Sequence, residues 1–169
     1  MEIRSTMTSA ISGSTFDVIY READPVQDLK GASLQGVHAY CFYDDRLVIV
    51  YAESKGYWTP PGGGIEERES FEEAVVREVQ EETNMKVLHQ EFIGYQDIFE
   101  PGRVIRQTRS FCIVEPYGDF ISDPDGEITE IKQIEPGEYK KYFDWGEIGD
   151  HIFDRVIQCK SRYESKYES

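Results

Sequence analysis

Positive charge is scarce in this 169-residue chain: 18 Lys and Arg stand against 33 Asp and Glu, a formal net charge of -15. That deficit opposes general nucleic-acid binding, which is not expected, because duplex affinity comes largely from basic side chains neutralising phosphates. A small phosphorylated ligand stays open, since a bound cation can reverse the field within one cleft. Cysteine is scarce as well. Cys41, Cys112 and Cys159 are odd in number, widely spaced and without a C-x-x-C pair, so neither a disulfide framework nor a cysteine zinc site is indicated. Long apolar runs are missing: none approaches the roughly 20 residues that span a bilayer, and no membrane contact is expected. The opening MEIRSTMTSAISGSTF has no apolar core of the signal-peptide kind, which makes a cytoplasmic address the expectation. No D-x-D-x-D-G loop is present, which weakens a reading as a calcium-binding or acidic adaptor domain.

Hydrophobic residues make up 39% and aromatics 13%, enough for one globular domain with a core of its own. The expected organisation is a poorly ordered Ser/Thr-rich segment over 1–13, one domain over 14–161 and a polar tail over 162–169. Alternating and β-branched runs predict strands at Phe16–Arg21, Val37–Tyr43, Leu47–Ala52, Lys86–Phe92, Tyr95–Phe99, Val104–Glu115 and Ile128–Ile134. Asp44-Asp45-Arg46 reads as a short hairpin loop, Glu100-Pro101-Gly102 as another turn, and Pro60–Gly64 as a loop. Ser70 with Glu73 fits a capping box opening a helix over Phe71–Thr83, and Asn84 suits the left-handed position after it. A helical turn follows Pro136, and an apolar stripe at Ile148, Ile152, Phe153, Val156 and Ile157 predicts a last helix over Gly146–Lys160. Strands mixed with two or three helices imply an α/β or α+β layered domain.

The first of those helices carries a conflict. At about 100° per residue, Phe71, Val75 and Val79 form its apolar stripe, and Glu78, Glu81 and Glu82 project over the edge of that stripe. Like charges one turn apart repel even on a wet surface, and partial burial adds a desolvation cost. A bound divalent cation with hard oxygen ligands relieves both. The plain alternative is a solvated acidic face, softened by Arg77 pairing with Glu73 and Glu81. The Gly62-Gly63-Gly64 loop ahead of the helix tips the balance, because glycines let backbone approach a ligand closely. It lacks the Lys-Ser/Thr ending of a P-loop.

Gly63–Met85 resembles the signature of the Nudix (MutT-like) hydrolases, G-x5-E-x7-R-E-U-x-E-E-x-G-U, where U is aliphatic. Gly63, Glu69, Arg77, Glu78, Val79, Glu81, Glu82 and Met85 take their places, eight of nine specified positions in a 23-residue segment. Asn84 departs from the pattern's glycine, and Asn is the next most tolerant residue of a left-handed backbone. The resemblance implies an α/β/α sandwich around a mixed sheet and a magnesium-dependent (or manganese-dependent) enzyme that cleaves a diphosphate linkage in a small nucleotide-like substrate. By the same resemblance Glu78, Glu81 and Glu82, with the Gly63 carbonyl, hold the metal, while Glu69 and Arg77 brace the loop. Glu78 is the first candidate for general base; Glu127 or Glu130, after the acidic turn Asp123-Pro-Asp125-Gly, is the candidate outside the segment. Trp58, Arg103 and Arg109 are candidate substrate contacts, although solvent-facing ion pairs explain most such arginines equally well, and strand alternation puts Arg106 on the opposite face. Tyr57, like Trp58, is an aromatic next to a turn. His38, His89 and His151 are scattered and form no triad. A homodimer and a non-catalytic, ligand-binding version of the same fold both stay open.

Overall fold

A computed structural model describes residues 1–167. Nine strands and two helices follow in order β1 Glu2–Thr8, β2 Thr15–Arg21, β3 Ala32–Tyr43, β4 Arg46–Ala52, β5 Tyr57–Thr59, β6 Gly62–Gly64, α1 Phe71–Thr83, β7 Met85–Glu100, β8 Arg103–Pro116, β9 Ile128–Ile134 and α2 Gly146–Tyr167. A 3-10 turn at Pro136–Lys141 precedes α2. The strands form one mixed sheet in the order β1-β2-β7-β8-β3-β4-β5, with β6 pairing β3 and β9 pairing β4. Only β3 and β8 run parallel among these pairs; every other ladder is antiparallel.

Alternation along β3 and β8 sorts the core to two faces. Val37, Ala39, Cys41, Cys112 and Val114 pack under Ala74, Val75 and Val79 of α1. Tyr40, Phe42 and Phe111 pack against Ile148, Ile152 and Val156 of α2 on the other side. The layering is the α/β/α sandwich around a mixed sheet that the resemblance implied. Among the described residues no helix is long and apolar enough to cross a membrane.

Several boundaries differ from the sequence reading. The first residues are not loose: Glu2–Thr8 pair residue by residue with Thr15–Arg21. Their order comes from that ladder and from Ile3 packing on the core, while most of their Ser and Thr side chains face solvent and hide the strand from a hydrophobicity pattern. The two strands expected over 86–99 are one, β7, interrupted by bulges at Val87/His89 and Phe92/Gly94 that break its alternation. The supposed tail continues α2 to Tyr167, where the tilted rings of Tyr163 and Tyr167 pack near His89 and Lys160 pairs with Glu164; residues 168–169 lie outside the described part. The hairpin at Asp44-Asp45 places both residues at positive φ, 51° and 62°, the geometry that short Asp/Asn/Gly hairpin turns require.

Candidate active site

The capping box opens α1 as expected: the Ser70 hydroxyl accepts from Glu73 N and the Glu73 carboxylate accepts from Ser70 N, both at 3.1 Å. At the other end Asn84 has φ 56° and ψ 40°, and its side-chain amide donates to Asp119 O. Asparagine thus supplies the left-handed turn and adds a tether that glycine lacks. Between these ends Glu78 and Glu82 lie one turn apart on the helix face that meets the sheet, only 7% and 5% exposed.

Two contacts bring the glycine loop onto those carboxylates. Gly62 N donates to Glu82 Oε1 at 2.8 Å. Gly63 lies so close to Glu78 that a Cβ there would sit 2.6 Å from Oε1. The loop is not irregular at this point. β6 is held against β3 by Val37↔Gly63 and its neighbours, and Ala39 N donates to Pro61 O. A Cβ on Gly62 would lie 2.1 Å from Val37 O, which is fixed backbone. Gly62→Ala is therefore expected to cost about 1–3 kcal/mol by overpacking and to move the amide off Glu82, read as a lower unfolding midpoint together with lower activity; unchanged values of both would refute this account of the loop.

Arg77 ties the segment together. Its Nε and Nη2 fork Glu69 at 2.8 and 2.9 Å, Nη2 also donates to Gly64 O, and Nη1 reaches Glu78 Oε1 at 2.8 Å and Glu81 Oε2 at 3.3 Å. Glu73, the partner weighed from i,i+4 spacing, is taken by the cap instead. Glu69 in turn accepts from Glu66 N, and the Arg77 guanidinium holds its carboxyl below the usual range.

Burial pushes Glu78 up to about 7 and Glu82 up to about 8, the first against the pull of Arg77 and the second against the Gly62 amide. Neighbouring acids add to the rise: Glu81 and Asp125 for Glu78, and Glu78, Asp123 and Glu127 for Glu82. The acidic turn does come to the helix. Asp123, which the sequence reading passed over, shapes it: its buried carboxylate accepts from Asp125 N, Glu127 N and Ile128 N at 3.0–3.1 Å. The Asp-Pro-Asp-Gly string, an Asx-turn pattern, was the available signal.

Among the described residues no three acidic, histidine or cysteine side chains are gathered as a closed cage. The donor set nevertheless fits a divalent cation of the magnesium type, which takes a few carboxylates and keeps water and substrate oxygens for the rest. Two buried, mutually repelling carboxylates beside a glycine backbone are the observation that supports the fit. An unfolded glutamate titrates near 4.3, so between about pH 5 and pH 8 the folded chain retains protons that the unfolded chain has released, and metal-free stability falls as pH rises. Glu69, held low, acts below that window. Magnesium is expected to raise the unfolding midpoint more at pH 8 than at pH 6; an equal gain at both, measured by thermal unfolding, would count against metal binding at Glu78 and Glu82.

A cavity of about 310 Å³ opens beside the cluster, lined by Gly62–Gly64, Glu82, Glu127, His38, Gln107 and Lys55 among others. Glu127 is part of that lining, whereas Glu130, on β9, pairs with Tyr51 of β4 and is not. The substrate candidates separate. Trp58 packs on Tyr51 and Tyr142 under the Lys132 ammonium, and it is its neighbour Tyr57 that borders the cavity. Arg103 is exposed on the β7–β8 hairpin and pairs with Glu100, outside the lining. Arg106 and Arg109 are no surface ion pairs, each being 2% exposed. Arg106 forks Asp97 and donates to Pro25 O and Asp28 O, which pins the β2–β3 connection. Arg109 lies behind the cavity wall.

A mixed sheet between two helices, with a glycine strand and an acidic helix set at one cavity, defines an α+β sandwich of the Nudix kind. The chain belongs to the Nudix family: the profile of the NUDIX domain matches residues 33–156. It is 27% identical over 143 residues to Nudix hydrolase 5 of Arabidopsis thaliana, covering 78% of this chain and 46% of that protein. It is 33% identical over 51 residues to the Bacillus subtilis Nudix hydrolase YvcI, covering 30% of this chain and 32% of that one. The chain thus spans less than half the length of these curated relatives. The B. subtilis pyrophosphohydrolase BsRppH shares the fold with a TM-score of 0.71 at 17% identity, over 92% of this chain and 97% of that one.

Proposed function

We propose that the protein is a divalent-metal-dependent pyrophosphohydrolase that cleaves the diphosphate linkage of a nucleoside diphosphate derivative or a nucleoside triphosphate. The observation that carries this reading is the pair of buried carboxylates, Glu78 and Glu82, held against the Gly62–Gly63 backbone at the edge of a cavity large enough for a diphosphate. Glu78 and Glu82 would hold Mg²⁺ (or Mn²⁺), with Glu81 and the Gly63 carbonyl completing the set. When bound, such an ion neutralises phosphate charge and lowers the pKa of water. Arg77 fixes one oxygen of Glu78 in place, which suits a ligand better than a base. Glu127 keeps its carboxylate free on the cavity rim, and we assign it the proton from the attacking water. Glu69 and Arg77 keep the loop and the glutamates in register.

The test is a hydrolysis screen over nucleotide sugars, dinucleoside polyphosphates and nucleoside triphosphates with Mg²⁺ or Mn²⁺. Turnover should appear for at least one class and vanish with chelator. Activity that persists in Glu78→Gln and Glu82→Gln would overturn the mechanism. Tight binding of one ligand without turnover would instead favour the non-catalytic reading.

A further inference from the structure

Arg109, 2% exposed, is a buried cation without a carboxylate partner among the described residues, in contrast to Arg106 and its Asp97. Its Nε and the nearby hydroxyls of Tyr20 and Tyr40 have no partner, and the Trp145 ring lies 5.1 Å from its guanidinium carbon. A buried cation without a counter-ion is expensive, so what it does contact bears on function. Nη1 donates to the backbone Thr108 O at 3.1 Å and to His38 Nδ1 at 3.2 Å, and Nη2 donates to Gln107 Oε1 at 3.3 Å. The two side-chain partners, His38 and Gln107, line the cavity.

Arginine has five N–H donors and no acceptor. Whatever it bonds must therefore accept, and this decides two questions that the heavy atoms alone leave open. His38 must carry its proton on Nε2, because Nδ1 accepts from Arg109 while Cδ2 lies against Gly62. Gln107 must turn its carbonyl toward Arg109 and Gln96, which leaves its NH₂ as the group available to a ligand. Arg109 also keeps the imidazole neutral, since burial and the adjacent guanidinium push His38 well below its usual value. His38 and Gln107 thus give the cavity lining a set of donors with the Arg109 charge directly behind them.

We infer that His38 Nε2–H and the Gln107 Nε2 amide protons form a donor wall for phosphate oxygens of the substrate, with Arg109 as the positioning residue that fixes their polarity without touching the ligand. The inference rests on the proposed function for the identity of the substrate, and it narrows that identity. The carboxylate side of the cavity requires a cation before it tolerates phosphate; the donor wall requires none. A ligand that spans both must present acceptor oxygens at two adjacent phosphoryl groups, and a ligand offering amine or amide donors toward the wall is rejected because its donors would meet donors.

Two variants separate this from a structural role. Gln107→Glu is isosteric, gives Arg109 a counter-ion and replaces the donor with an acceptor. The protein should gain about 2–4 °C in unfolding midpoint while its affinity for methylenediphosphonate with Mg²⁺ falls at least about tenfold, Mg²⁺ alone serving as the control. A midpoint that drops, or an affinity equal to that of the unsubstituted protein, would overturn the inference. The second arm is the ¹⁵N spectrum of the His38 ring, which should show unprotonated Nδ1 and protonated Nε2, with Nε2–H shifting when methylenediphosphonate is added and not with Mg²⁺ alone. Arg109→Met should release the ring into mixed tautomers; an unchanged tautomer would also overturn the inference. Should Arg109→Met fail to fold, the Gln107→Glu arm still decides. A donor wall that binds the diphosphonate in a protein without turnover would leave the inference standing and remove the proposed enzymatic function, whereas turnover with an unaltered KM in Gln107→Glu would do the reverse.

Discussion

Glu82→Gln is expected to lower turnover about 10²–10³-fold, the scale of losing one group that stabilises transition-state charge in a preorganised site, and at the same time to stabilise the metal-free protein. The two effects have one origin. Glu82 is 5% exposed, and burial together with Glu78, Asp123 and Glu127 raises its pKa to about 8. Its charge is thus a cost to the folded state that the Gly62 amide offsets only in part. Glutamine keeps an acceptor for Gly62 N and removes the charge. The unfolding midpoint without metal should rise most above pH 7, where the wild-type carboxylate is increasingly ionised, and added magnesium should no longer raise it. Glu67→Gln, an exposed change in the same acidic segment, should leave both turnover and midpoint where they were. A Glu82→Gln protein that loses stability, or that remains as active as the exposed control, would show that this carboxylate is not a strained ligand.

Such a trade-off between stability and chemistry leaves a trace in the sequence itself. The conflict on α1 could be read from periodicity because a helix fixes directions by residue number alone: Glu78 and Glu82 fall at the edge of the Phe71–Val79 stripe wherever the helix packs. The capping box and the Asn84 turn were equally local, and the helix bounds, Phe71–Thr83, followed from them. What local pattern does not carry is the partner across the sheet. Arg109 meets His38 only because β3 and β8 run parallel in a register that pairs those two residues, and nothing in either segment announces that register. The same applies to Arg106, which looked like a surface charge until the β2–β3 connection was laid over it. The strand Glu2–Thr8 was missed for a different reason: backbone pairing orders it while its side chains stay polar and mostly exposed, so the hydrophobic alternation that reveals other strands is absent. Asp123 was overlooked beside its louder neighbours, because the carboxylate that builds a turn and the one that faces a ligand are chemically identical in a sequence.

Arg77 is where local and long-range order meet, and its replacement should have the broadest effect. Five contacts from one guanidinium join the loop before the helix (Glu69, Gly64) to the acids on it (Glu78, Glu81). Arg77→Met removes the only cation paired with this group among the described residues. Glu69 then loses both arms of its fork, and Glu78 loses the charge that opposes its desolvation, so its pKa should climb further above 7. Breaking a largely buried pair by removing one partner costs about 3 kcal/mol or more, which for a chain of this size lowers the unfolding midpoint by about 6–12 °C. Arg77→Lys distinguishes charge from geometry. Lysine keeps the cation and so should recover much of the stability, but one ammonium cannot fork Glu69 while also holding Gly64 O and Glu78 Oε1. Its turnover should stay about 10²-fold down, with weakened magnesium binding, and the Arg77→Lys and Glu69→Gln changes should be strongly non-additive because each removes the same fork. If Arg77→Lys proves as active as the parent, charge alone suffices, and the planar fork is not what keeps Gly63 and Glu78 in contact.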